Sequence, residues 1–204
     1  DVSRGRLMEV IQHDVRRLDR LITDISDASR LDAETARQDA EPVDVRALVS
    51  AVVSLQNDLA GKRGQKVTLT VTPPGAPSLA FVVMGHDSRL GQVFTNLVDN
   101  ARSFSPDGGE VRVTLGSACG KVEVVVDDDG PGIRAEKIER IFERFYTDRP
   151  EGESFGNNSG LGLAISRQIV EGHRGLILAE NRMRPDGSIA GARFVVWLPG
   201  GALG

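Results

Sequence analysis

The sequence holds one cysteine, no long apolar run and no surplus of positive charge, and each shortage narrows what the protein can be. Cys119 alone cannot form an internal disulfide, so a reducing cytoplasm is the natural compartment, and a small buried or inert side chain is the expected role for that residue. No stretch approaches the about 18 apolar residues that a spanning helix requires, and no signal peptide opens the chain, so the chain itself is expected to stay out of a bilayer. A formal net charge of -4 leaves no basic footprint for nucleic acid. There is no internal repeat and no low-complexity tract.

What is present fits one main domain with an appendage: 204 residues with 40% hydrophobic content are enough for a sizeable core. Residues 1–38 carry Leu7, Val10, Ile11, Val15, Leu18, Leu21, Ile22, Ile25, Ala28 and Leu31 at threes and fours. Such a stripe predicts one long helix that needs a partner to bury its seam, either its own domain or a dimeric helical hairpin. A polar connector ends at Pro42, and a second domain is expected over 43–204. There the pattern predicts helices at 46–60, 87–104, 134–143 and 161–172. Strands are expected at 66–71, 81–84, 110–115, 121–126, 175–180 and 192–198. Leu48, Val52, Leu55 and Leu59 are expected on the inner face of the first helix. Strands and helices mix without strict alternation, which predicts an α/β two-layer sandwich with a mixed sheet covered by helices.

The chain is organised around Leu90 to Ala101, LGQVFTNLVDNA. Asn96 and Asn100 stand one helical turn apart on one face, while Leu90, Val93, Phe94, Leu97 and Val98 cover the other. Amide oxygens are hard ligands that, with substrate phosphates, can hold a magnesium ion; a polar stripe facing solvent is the plain alternative. Two glycine clusters follow, Asp127-Asp128-Asp129-Gly130-Pro131-Gly132-Ile133 and Gly156-Asn157-Asn158-Ser159-Gly160-Leu161-Gly162, with Ile141-Phe142-Glu143-Arg144-Phe145-Tyr146 between them. The second cluster opens a helix, whose free N–H groups and positive dipole end suit a phosphate. It is neither a Walker loop nor a dinucleotide fingerprint, since no Lys-Ser/Thr follows and the strand and ribose acid are misplaced. Thr147 to Asn158 is polar and glycine-bearing, as suits a lid or a plain surface loop.

In this order the motifs resemble the N, G1, F and G2 boxes of the ATP-binding catalytic domain of bacterial sensor histidine kinases, over Pro42 to Pro199. The first 38 residues resemble the second helix of the dimerisation and phosphoacceptor domain, with wording similar to the ChvG/ExoS type of alphaproteobacterial sensor kinase. The resemblance implies the histidine kinase/Hsp90-like ATPase fold and Mg-ATP as cofactor. It implies a homodimer through a helical hairpin, a response regulator as partner, and an inner-membrane parent with a cytoplasmic catalytic domain. Carried over by position, it assigns nucleotide contacts to Asn96, Asn100, Arg102, Ser103 and Phe104 on the helix, with Asn100 as metal ligand. It assigns others to Asp128, Gly130, Gly132 and Ile133, to Tyr146, and to Ser159, Gly160, Leu161 and Gly162. Asp128 would accept from the exocyclic amine of adenine, while Gly130 and Gly132 let backbone approach the ring. Asp127 and Asp129 are expected to face solvent.

Several positions depart from the family pattern. Its lysine three residues past the second asparagine is Ser103 here, with Arg102 as a possible substitute; its Phe-Tyr-Arg is Phe145-Tyr146-Thr147, leaving Arg144 or Arg149 as cations. Phe104 replaces the usual tyrosine, and Asp129 the usual asparagine. His13-Asp14-Val15-Arg16 superficially matches the phosphoacceptor motif. The proline expected five residues on is Leu18, no second amphipathic helix intervenes, and the distance to the asparagine helix is short, so the acceptor is expected to be absent. Gyrase, Hsp90 and MutL types carry a glutamate one turn before the metal asparagine as a base for water, and here that place is Asn96. Phosphoryl transfer to a supplied imidazole is therefore the leading expectation, with a degenerate interaction module as the alternative. A protein-serine kinase of the anti-sigma-factor type sits poorly with the long helical arm. His86 and His173 flank helices, where a cap or dipole partner is expected.

Overall fold

A computed structural model describes residues 40–59, 64–146 and 160–201. The predicted arm over 1–38, His13, the polar stretch at 147–158 with Arg149, and Ser159 all lie outside the described residues. The elements run β1 (Glu41–Asp44), α1 (Val45–Asp58), β2 (Lys66–Thr72), β3 (Val82–Gly85), α2 (Asp87–Phe104), β4 (Glu110–Ala118), β5 (Lys121–Asp127), α3 (Gly162–Gly172), β6 (Leu176–Met183) and β7 (Ile189–Pro199). A five-stranded sheet has the order β2-β4-β5-β7-β6, with β2 and β4 parallel and the other pairs antiparallel. The three helices cover one face, which makes the expected two-layer α/β sandwich.

Alternation along the strands explains the layering. Val111, Val113 and Leu115 of β4, Val122, Val124 and Val126 of β5, and Phe194, Val196 and Leu198 of β7 point to the helices and are buried. Helix α2 lays Leu90, Val93, Phe94, Leu97, Val98 and Ala101 onto that surface, all nearly inaccessible. At roughly 1.5–3 kcal/mol per large apolar side chain, this stripe fixes the rotation of α2 and leaves the Asn96–Asn100 face outward. The helix ends at Ser105, whose extended backbone is what a following proline favours. Gln65, itself buried, closes that end by donating to the carbonyls of Arg102 (2.8 Å) and Ser105 (2.9 Å).

Four expectations change. The polar connector before Pro42 includes strand β1, which pairs antiparallel with β3 through Pro42↔Met84. On α1 the inner stripe is Val45, Val49, Val52, Val53 and Gln56, while Leu55 and Leu59 are exposed. The true stripe was hidden by its polar member: Gln56 is buried because it donates to Asp99 Oδ1 (2.8 Å) and accepts from Arg102. The helix expected at 134–143 is two short 3-10 turns, Ala135–Lys137 and Arg140–Phe142. Periodicity identified the inward side chain, Phe142, but the turns are closed by shorter-range bonds such as Glu143 N–H to Arg140 C=O. Cys119 is exposed, not buried: with Gly120 it forms the two-residue turn between β4 and β5, both residues at positive φ.

Candidate functional site

Asn96, Asn100 and Phe104 recur every fourth residue and so share one face of α2. At the Asn96 end, its Nδ2 donates to the Gly162 carbonyl (3.2 Å) and Ser166 Oγ (3.4 Å) on α3. At the Phe104 end, a Cβ on Gly130 would lie 3.0 Å from the Phe104 carbonyl oxygen and 3.2 Å from its Cβ. Asn100, midway on the same face, therefore lies between the two glycine segments. Its side-chain amide has no hydrogen-bond partner among the described residues, and its position is half-buried.

The first glycine segment is built on a buried acid. Asp128, 2% exposed, accepts on Oδ1 from Gly130 N–H (2.8 Å) and Ala192 N–H (2.9 Å), and its own N–H donates to the Ala192 carbonyl. That leaves Oδ2 without a hydrogen-bond partner among the described residues. Burial raises the carboxyl above its ordinary range, opposed by the bonds from Ala192 and Gly130. Gly132, at φ +78°, has no room for a side chain, since a Cβ would meet Ile189 at 2.4 Å and Asn181 Oδ1 at 2.7 Å. The segment thus brings together an acceptor oxygen and bare backbone, an arrangement that suits a flat ring carrying an amino group.

The flanking acids do not face solvent. Arg193 grips Asp127 with two bonds (2.7 and 2.9 Å), and Arg112 pairs with Asp129 (2.6 Å). The cause is register: Asp127 stands directly between Arg112 on β4 and Arg193 on β7. The Arg112 hydrogen bond holds the Asp129 carboxyl below the usual carboxylate range.

The second glycine segment begins α3. Gly160, at φ +73°, accepts at its carbonyl from Phe145 N–H (2.9 Å), and a Cβ there would meet the backbone of Phe145 and Tyr146 at 2.9 Å. Leu161 is buried, and Gly162 opens the helix beside Asn96. Phe142 and Tyr146 are each capped by a guanidinium, Arg167 at 5.2 Å and Arg140 at 5.0 Å from the ring centroids. Arg144 reaches Gln168 Oε1 (3.4 Å).

Arg102 is the sequence-predicted residue that turns away. It lies two residues past Asn100, about 200° around the helix, and its Nη1 bonds the backbone and side-chain oxygens of Gln56 on α1. Ser103 Oγ bonds back to the Asn100 carbonyl (2.9 Å). Residues that sequence reasoning missed are Asn181, Arg182 and Ala192, which grip the first glycine segment from β6 and β7, and Gly191. The predicted strand began at 192, so Gly191 carried no signal in the sequence; the structure places it inside β7, where a glycine marks a bulge or a close approach. As expected of a helix-end residue, His173 bonds the Ile169 carbonyl through Nδ1 (2.8 Å), and its Nε2 accepts from His86 N–H (3.1 Å).

A family profile described as histidine kinase-, DNA gyrase B- and HSP90-like ATPase matches residues 85–202. The chain belongs to this family. It is 56% identical over 201 residues to the sensor protein ChvG of Rhizobium meliloti (strain 1021), a match covering 98% of this chain and 35% of that protein. Full-length ShkA, solved in complex with AMPPNP, superposes with a TM-score of 0.72 at 29% identity, over 90% of this chain and 36% of that one. Histidine kinase ThkA, solved with the response regulator protein TrrA, gives 0.68 at 25% identity over 92% and 49%. The chain spans about a third of the length of the curated relatives it matches. Among the described residues no helix is long and apolar enough to cross a membrane.

Proposed function

We propose that the gap between the two glycine segments binds Mg-ATP and that the domain transfers the γ-phosphoryl group to a histidine on a dimerisation helix, for relay to a response-regulator aspartate. One observation carries the reading: Asn100 lies, with an uncommitted amide, between the Asp128 loop at one end of its helix and the start of α3 at the other. Asp128 Oδ2 accepts the adenine amino group, and the bare backbone of Gly130 and Gly132 lies against the ring. The N–H groups that open α3, around Gly160, Leu161 and Gly162, take phosphate oxygens. The Asn100 oxygen, a hard ligand without a hydrogen-bond partner among the described residues, would hold the magnesium ion together with phosphate and water. Magnesium supplies charge neutralisation for the transferring phosphoryl group. Asn96, tied to α3 and carrying no acid, activates no water, which favours an imidazole acceptor over hydrolysis.

The AMPPNP bound to ShkA and the response regulator bound to ThkA support ATP and a regulator partner here. The wider reading is a homodimer through the segment 1–38, with the domain on the cytoplasmic side of an inner-membrane sensor. Mixing the chain with an isolated acceptor-helix domain and labelled ATP should label a histidine, and Asn100→Asp should abolish the label. No label with the wild-type chain, or unchanged label with the variant, refutes the transfer or the metal role respectively. The alternative, a degenerate module without phosphotransfer, draws on Arg102, which is spent on Gln56, and on Ser103, which bonds its own helix where the family pattern has a lysine. Absence of Mg-ATP affinity at millimolar concentration would favour it.

A further inference from the structure

We infer that Asn181 and Arg182, consecutive on β6, are the positioning residues that set how tightly the site discriminates its base. The inference rests on the ATP reading above and deepens it. Successive strand residues point to opposite faces, so this pair reaches the Asp128–Ile133 loop from both sides of the sheet. On the helix-covered side, the Asn181 amide clamps one residue completely: Oδ1 accepts from Ile133 N–H (2.7 Å) and Nδ2 donates to the Ile133 carbonyl (2.6 Å). On the open side, Arg182 Nη1 donates to the Asp128 carbonyl (2.6 Å) and reaches Asp129 Oδ1 (3.3 Å), while its Nε lies 3.6 Å from Asp127 Oδ2. The two ends of the loop are therefore held by neighbouring side chains of a strand that contributes no atom to the predicted nucleotide contacts. The pairing of β6 with β7 shifts register between Arg182 and Met183, next to Gly191, whose missing Cβ would stand 1.9 Å from the Asp128 carbonyl oxygen. The bulge lets backbone approach the loop closely enough for Ala192 to bond Asp128.

A clamp of this kind fixes the distance between Asp128 Oδ2 and the amino group of the base. It acts on the adenine end and leaves the phosphate end alone, so the readout is discrimination and not affinity in general. Calorimetric titrations with Mg-ATP and with Mg-purine riboside triphosphate, which lacks the amino group, would measure it on the wild-type chain, Asn181→Ala and Arg182→Met. Each variant should lower ATP affinity by about tenfold, the equivalent of about 1.4 kcal/mol, and leave the amino-free analogue within about threefold. Arg182→Lys should recover part of the loss. If Asn181→Ala does not fold, Asn181→Asp keeps the acceptor and removes the donor, and should show the same selective loss. An unchanged ratio between the two nucleotides in folded variants overturns the inference, as does an equal loss on both. A wild-type chain that binds neither nucleotide, or both alike, instead overturns the ATP reading on which it rests.

Discussion

The two glycine segments flank one helix face, yet they are secured in different ways. The segment after β5 is tied from four directions: Gly130 and Ala192 N–H groups on Asp128, Arg182 on its carbonyl, Asn181 on Ile133, and an arginine on each neighbouring acid. The segment at Gly160 to Gly162 is held instead by backbone and by its own helix: the Gly160 carbonyl accepts from Phe145 N–H, the Gly162 carbonyl accepts from Ser166 Oγ (2.8 Å) and Asn96 Nδ2 (3.2 Å), and Leu161 is buried. Reading a rigid flat base requires an acceptor fixed in advance, whereas a phosphate chain offers oxygens in several directions to N–H groups. The difference suits the first end of the site to selectivity.

The comparison breaks most visibly at Gly191. A methyl group there cannot avoid the Asp128 carbonyl, and φ +148° is itself a strained conformation for any other residue. Gly191→Ala should cost at least about 3 kcal/mol in urea unfolding, because backbone on two strands has to move. Gly187→Ala, at φ +80° with no atom within 4 Å of a new Cβ, should cost only about 1 kcal/mol. Equal costs would mean that the bulge is not what seats the loop.

Next in size is the buried acid. Asparagine at 128 can keep both N–H bonds on its Oδ1 but turns a donor toward the base. Asp128→Asn should therefore weaken ATP binding by about a hundredfold, roughly 2.7 kcal/mol, in calorimetry. Stability should move the other way. The folded carboxyl titrates above its unfolded value, so the folded state binds the proton more tightly and stability declines as pH rises through that window. Above that window the carboxylate carries the cost of its burial, and there the uncharged variant should be at least as stable as the wild type. A variant that lost both stability and binding would show Asp128 to be a structural acid only.

These two tests also mark where sequence reasoning reaches. The bounds of α2 were legible at 87–104, because one stripe of six apolar residues dictates both its packing and which side chains are left for the site. The ties on the Asp128 loop were not. Arg193 meets Asp127, and Arg112 meets Asp129, only because three strands adopt one register, and no local pattern encodes a pairing between residues 66 positions apart. Gln56 and Arg102 show the same limit on helices: each satisfies the other's buried polar group, so neither reads as inward-facing alone. The 3-10 turns at 135–142 replace a helix because periodicity reports which side chains go inside, not the pitch that takes them there.

At the α3 end, Asn96→Ala removes bonds of 3.2 and 3.4 Å to that helix. It should cost no more than about 1 kcal/mol in urea unfolding, since Ser166 Oγ keeps its own bond to the Gly162 carbonyl (2.8 Å). A loss of 3 kcal/mol or more, like that at Gly191, would erase the contrast between the segments.

The smallest effect lies at the far end of α3, where pH acts with the opposite sign to Asp128. Burial lowers the His173 imidazole below its ordinary value, opposed by the bond to the Ile169 carbonyl and assisted by His86 close by. The neutral ring with its proton on Nδ1 accounts for both contacts, donating to Ile169 and accepting from His86 N–H. Protonating Nε2 would set a donor against a donor. Because the unfolded chain takes up this proton first, stability should be full above about pH 6.5 and fall as pH drops through that value toward the folded pKa. The urea midpoint of the wild-type chain should therefore decrease between pH 7.5 and 5.5, and the decrease should shrink in His173→Gln, which retains an acceptor without a titrating ring. A decrease of equal size in both proteins would place the sensitivity elsewhere and leave the two ends of the domain alike in their response to acid.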